Sequence, residues 1–134
     1  MGLRFLLDTD ICIYLRGART KKLLQKFASL SRGEAAISVV TYGELSFGAH
    51  KAASATALEL LARLIEQLPV LPMPPDAGAR YGAVRQRLEA DGEVIGGNDL
   101  WIAAHALAAD LILVTNNERE FRRIKGLQVE NWAK

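Results

Sequence analysis

Cysteine is nearly absent from this chain: its 134 residues include one, Cys12. A lone thiol cannot close an internal disulfide, which fits a reducing compartment. Cys12 lies in the apolar run Ile11-Cys12-Ile13, where burial is expected rather than nucleophilic catalysis. Histidine is almost as scarce. His50 and His105 both fall mid-helix, with packing the expected role for His105, and no HExxH or CxxC spacing occurs. That excludes the common zinc frameworks. GxSxG and Walker loops are also missing, which removes the usual hydrolase elbow and nucleotide cradle. No stretch of roughly eighteen apolar residues exists, so no membrane-spanning helix is expected. The N-terminus lacks a basic segment followed by an apolar run and a cleavage site, so the expected location is cytoplasmic.

The length suits one domain over residues 1–134, and half the residues are apolar, enough for a sizeable core. A net charge of +2 permits nucleic acid binding without demanding it. The basic residues cluster, in Arg16, Arg19, Lys21, Lys22 and Lys26, in Arg80, Arg85 and Arg87, and in Arg119, Arg122, Arg123 and Lys125. Each cluster is either a solvated helix face or a phosphate contact.

Five apolar runs have strand length: Leu3 to Leu7, Ala36 to Val40, Val70-Leu71, Leu111 to Val114 and Leu127 to Val129. They are continuous rather than alternating, as in strands covered on both faces. Helical patterns lie between them. Ile11 to Leu15 is short, and Lys21 to Leu30 has Leu23, Leu24, Phe27 and Leu30 at helical spacing. Tyr42 to Leu68 reads as helix with a break near Ala53-Ser54. Ala77 to Ala90 follows Pro74-Pro75 and ends at Asp91-Gly92, and Leu100 to Ala109 is a buried, Ala-rich helix. The alternation predicts an α/β three-layer fold with a mostly parallel central sheet.

In such sheets, ligands bind beyond the C-terminal strand ends. Asp8-Thr9-Asp10 follows the first strand, and Thr41-Tyr42-Gly43-Glu44 the second. The stretch from Thr115 to Glu120 follows the fourth, and Asn98-Asp99 opens the Ala-rich helix after the turn Gly96-Gly97. Each segment has a local explanation. Thr41 to Glu44 and Asn117 to Glu120 fit capping boxes, Asp8 or Asp10 can cap the first helix, and Asp99 suits a helix N-terminus. Local capping does not explain why these carboxylates collect at one rim, where they repel. A hard divalent cation removes that repulsion, and an all-oxygen donor set suits Mg²⁺ or Mn²⁺.

The ordered motifs LLDTDICIYL, ISVVTYGELSFGA, VIGGNDLWIAAHAL, LILVTNNEREF and VENW resemble the PIN-domain toxins of the VapC type, over about Phe5 to Trp132. The resemblance implies a Mg²⁺-dependent endoribonuclease, the toxic half of a type II toxin–antitoxin pair. It implies a VapB-type antitoxin partner, a homodimer within the complex, and an RNA substrate, with the anticodon loop of initiator tRNA the leading expectation. Matched position by position, Asp8, Glu44 and Asp99 are metal ligands. Asn117 stands where many relatives have a fourth acid, and Glu120 is the expected substitute. Thr115 would hydrogen-bond a carboxylate or the attacking water. Asp10 stands where relatives often carry Asn, and is either outward-facing or an added charge at the metal.

Two competing readings remain. Asp8-Thr9-Asp10 also resembles the opening of a haloacid-dehalogenase-like phosphatase, although Cys12 stands where that family has Thr or Val. A non-enzymatic α/β interaction module would use the same acids to bind a regulatory metal. Ile13, Tyr14, Leu45 and Phe47 are either core or part of an antitoxin docking surface.

Overall fold

A computed structural model describes residues 2–17 and 20–134. Arg19 of the first basic cluster lies outside them. The elements in chain order are β1 (Phe5–Leu7), α1 (Thr9–Gly17), α2 (Lys21–Ala28), β2 (Ala35–Ser38), α3 (Val39–Lys51), α4 (Ala55–Gln67), β3 (Val70–Leu71), α5 (Asp76–Ala90), α6 (Gly97–Ala109), β4 (Ile112–Val114), α7 (Glu118–Phe121) and β5 (Val129–Glu130). The strands form one sheet in the order β3-β2-β1-β4-β5, and every pairing is parallel. The α/β expectation therefore holds.

The period of two along β1 assigns its side chains to two cores. Phe5 and Leu7 join Ile11, Cys12, Ile37 and Leu45 on one face. Leu6 joins Leu100, Ala103, Leu113 and Phe121 on the other. Both faces of the sheet are dry, which is why its strands read as unbroken apolar runs.

Element ends are set by local chemistry. The second strand was expected to run to Val40, but it stops at Ser38, whose hydroxyl accepts the Val40 N–H at 3.2 Å and caps α3. Thr41 is therefore inside α3 and buried, so the expected Thr41–Glu44 capping box does not form. The break near Ala53-Ser54 is real: Ala53 takes a positive φ of 50° and the Ser54 hydroxyl caps α4. At the end of α5, Gly92 has φ +69°, and the Glu93 N–H returns to the Leu88 carbonyl at 2.8 Å. This left-handed closure favours a residue without a Cβ, and Gly92 supplies it.

The order of connections positions the site. After β1 the chain builds outward through β2 and β3, then returns to build β4 and β5 on the other side. The switch point lies between β1 and β4, where the loops leaving the two strands diverge and open a crevice.

Candidate active site

Asp8 is the first residue past β1, and Thr115 the first past β4, so they flank the switch point. The Asp8 carboxylate is 2% exposed. Its Oδ1 accepts the Ile11 N–H at 2.9 Å, which makes Asp8 the cap of α1, and it also accepts a hydrogen bond from Thr115. Capping thus does not set Asp8 apart from the other rim carboxylates: the carboxylate that caps α1 also faces the charges of Asp10 and Asp99. Burial pushes the Asp8 carboxyl up to about 7, helped by the nearby charges of Asp10 and Asp99 against the pull of the Thr115 and Ile11 hydrogen bonds.

Asp99 lies in the first turn of α6, where the helix dipole favours an anion. Burial again is the main cause that raises its carboxyl, to about 6, with repulsion from Glu44, Asp10 and Glu120. Asp8, Asp10, Glu44, Asp99 and Glu120 thus share one electrostatic field, although they come from four separate chain segments. Among the described residues, no three Asp, Glu, His or Cys side chains approach closely enough to form a ready cage.

Glu44 projects from the second turn of α3. Its Oε1 accepts the Thr9 hydroxyl at 2.5 Å, and its Oε2 accepts the Asn98 amide at 3.2 Å. The sequence places Thr9 and Asn98 beside the acids but assigns them no role; their hydrogen bonds span 35 and 54 residues and leave no local signal. Asn117 stands at the start of α7 without a side-chain cap, so the second expected capping box is also absent. Its N–H instead donates to the Thr115 hydroxyl oxygen at 2.9 Å, and that hydroxyl serves Asp8.

The remaining candidates separate clearly. His105 is buried in α6, where its Nδ1 pairs with Ser38 Oγ at 2.9 Å, and burial holds its imidazole below the ordinary value. Cys12 is buried and burial pushes its thiol up, which leaves no thiolate for catalysis. Of the basic clusters, Arg80, Arg85 and Arg87 pair with acids one turn along α5. Arg122 and Arg123 pair with Glu118 and Glu93. These are exposed pairs of small energetic worth. Leu45 is core, whereas Ile13 and Phe47 are 40% and 68% exposed.

The PIN-domain family pattern matches residues 5–127. This chain belongs to the PIN-domain family, in its VapC ribonuclease branch. Ribonuclease VapC2 of Haemophilus influenzae is 37% identical, over 98% of this chain and 99% of the relative. The tRNA(fMet)-specific endonuclease VapC of Shigella flexneri is 36% identical, with the same coverage. Two solved structures superpose closely. VapBC2 from Rickettsia felis, bound to a promoter DNA fragment, gives a TM-score of 0.88 at 33% identity, over 97% of this chain and 99% of that one. VapBC-1 from nontypeable Haemophilus influenzae gives 0.88 at 35% identity, over 98% of this chain and 100% of that one. Membership of the PIN family sets aside the dehalogenase-like phosphatase. The ribonuclease relatives likewise make this chain an enzyme rather than a non-enzymatic interaction module.

Proposed function

We propose that this PIN-domain protein is a Mg²⁺-dependent endoribonuclease, with Mn²⁺ an effective substitute, that cuts tRNA and so stops translation in the cytoplasm. The leading substrate is initiator tRNA, cut in the anticodon loop. It is the toxin of a pair, silenced by a VapB-type antitoxin, and works as a homodimer within that complex. The substrate follows the tRNA(fMet) specificity of the Shigella relative, and the partner follows the VapBC complexes among the structural relatives.

One observation carries the chemistry: the Asp8 carboxyl, buried at the switch point, is raised to about 7 beside Asp99, raised to about 6. Such a pair is costly to ionise alone and is relieved by a dication. The donors are carboxylates with no His or Cys among them, which fits a hard cation. The open arrangement suits an ion that keeps several waters and also takes phosphate oxygens. When bound, the ion supplies positive charge to the scissile phosphate and acidifies a water.

The chain's own residues do the rest. Asp8 and Asp99 hold the ion, and Glu44 and Glu120 do so directly or through water. Thr115 orients Asp8, while Thr9 and Asn98 orient Glu44. Arg16, Lys21, Lys22, Arg119 and Lys125 steer the RNA backbone. Incubating the purified protein with total tRNA in Mg²⁺, Mn²⁺ or chelator, and sequencing the ends, tests this reading. Metal-dependent cleavage at one loop position is expected, and intact tRNA in all three conditions refutes it.

A further inference from the structure

The closing motif VENW takes no part in the acidic crevice, yet it reaches the loop that follows β4. The Asn131 Nδ2 donates to Glu118 Oε2 at 2.8 Å and to Asn116 Oδ1 at 3.3 Å. Asn131 Oδ1 accepts the Ala133 N–H at 2.9 Å. Asn116 Nδ2 in turn donates to the Tyr14 hydroxyl at 3.1 Å. The Glu118 carboxylate is itself anchored by Lys134 and Arg122.

This chain of bonds has one possible polarity. An ionised carboxylate only accepts, so Asn131 must turn its NH₂ toward Glu118. The hydrogen bond from Asn131, together with that from Lys134, lowers the Glu118 carboxyl and keeps it ionised. Asn116 must then present its oxygen to Asn131 and its NH₂ to Tyr14. A surface amide normally turns over at little cost, but this one is held at both ends. Asn116 is nonetheless exposed. It keeps one N–H and one acceptor site beyond these bonds, the two kinds of group with which a carboxamide pairs to a nucleobase edge. It also directly follows Thr115, which hydrogen-bonds Asp8.

We infer that Asn116 reads the edge of one unstacked RNA base beside the acidic crevice, with Asn131 as the positioning residue that fixes its carboxamide. The inference rests on RNA being the substrate and names a specificity determinant within it. Adenine is the best match, since an amide can pair with a donor and an acceptor on its edge. Single-stranded loops are where such edges are available.

The test separates base reading from cleavage. Asp8→Asn protein is mixed with a random single-stranded RNA library, and the bound RNA is sequenced. One base should be enriched at a fixed place in the selected motif. Adding Asn116→Ala should flatten that preference by roughly tenfold, the size of one lost bidentate contact. Asn131→Ala should flatten it too, and Asn116→Asp, which cannot donate, should shift it to a different base. Melting curves confirm folding, and exposed Asn116 carries the test if an Asn131 variant fails to fold. The inference is overturned if the parent selects no base, if Asn116→Ala selects the same base as strongly, or if that variant binds every sequence equally less well. An Asn116 that changes only the affinity for an antitoxin peptide overturns it as well. A wild type that selects a base but cuts no RNA refutes the ribonuclease instead.

Discussion

The Thr9 hydroxyl lies 2.5 Å from Glu44 Oε1 and joins the first turn of α1 to the second turn of α3. Thr9 directly follows Asp8, so one backbone step links two carboxylates that are 36 positions apart. A hydroxyl donated to a carboxylate both fixes its rotamer and stabilises its charge. Thr9→Val should therefore lower kcat about tenfold, the rate equivalent of a charged hydrogen bond of about 1.5 kcal/mol, with little change in KM. Thr9→Ser should restore most of it. Steady-state cleavage of a short RNA loop measures both, and a Val variant with unchanged kcat would show that Glu44 needs no support.

Asp8→Asn and Asp99→Asn should each bring cleavage below detection while the protein stays folded. Asn is as good a helix cap as Asp, so the bond to the Ile11 N–H survives in Asp8→Asn. Circular dichroism and an RNA cleavage assay on the same preparations check this. Normal turnover by either variant would remove that residue from the proposed metal site.

Glu120→Gln should cost more activity than Asn117→Ala. Glu120 contributes to the field that raises Asp99, whereas Asn117 makes no side-chain cap. Loss of a working cap would cost about 1 kcal/mol, so Asn117→Ala should leave the melting temperature nearly unchanged. If Asn117→Ala proved the more damaging to turnover per folded molecule, the fourth ligand would belong at Asn117.

Strand positions and the rim of acids were legible in the sequence because a doubly covered sheet leaves apolar runs and its ligands follow strand ends. The start of α3 was not, because Val39 and Val40 favour strand locally while Ser38 caps the helix. The Thr41–Glu44 spacing suggested a cap for the wrong reason: Glu44 is held by Thr9 and Asn98, from other elements. Tertiary bonds of this kind have no periodicity to find. Asp10 is the reverse case. The sequence left two roles open, and the structure places it within electrostatic reach of both Asp8 and Asp99 while exposed to solvent.

The Asp8 and Asp99 carboxyls should cost the metal-free protein stability as pH rises from about 4 to about 7. Asp8 titrates near 7 and Asp99 near 6 when folded, against an ordinary 3.8. Between those values the folded state holds more protons than the unfolded one, so rising pH favours unfolding. His105 works in the opposite direction: its depressed pKa makes the fold gain stability as pH climbs toward the ordinary 6.5. Comparison with Asp8→Asn cancels that contribution. In chelator, the melting temperature of Asp8→Asn should therefore fall less over this window and lie at or above the wild type at pH 7.5. Divalent metal should change the order. An ion bound only by the folded state adds about 2.7 kcal/mol at a hundredfold excess over its Kd. In a domain of this size that raises the wild-type melting temperature by roughly 10 °C. The same ion should do little for Asp8→Asn. Because it must displace the protons that Asp8 and Asp99 hold, the wild-type gain should grow between pH 5 and 7.5. Thermal scans at both pH values, with chelator and with millimolar Mg²⁺ or Mn²⁺, measure all of these differences. A wild type indifferent to both ions, at concentrations that support cleavage, would mean that the ion arrives with the RNA phosphate rather than before it.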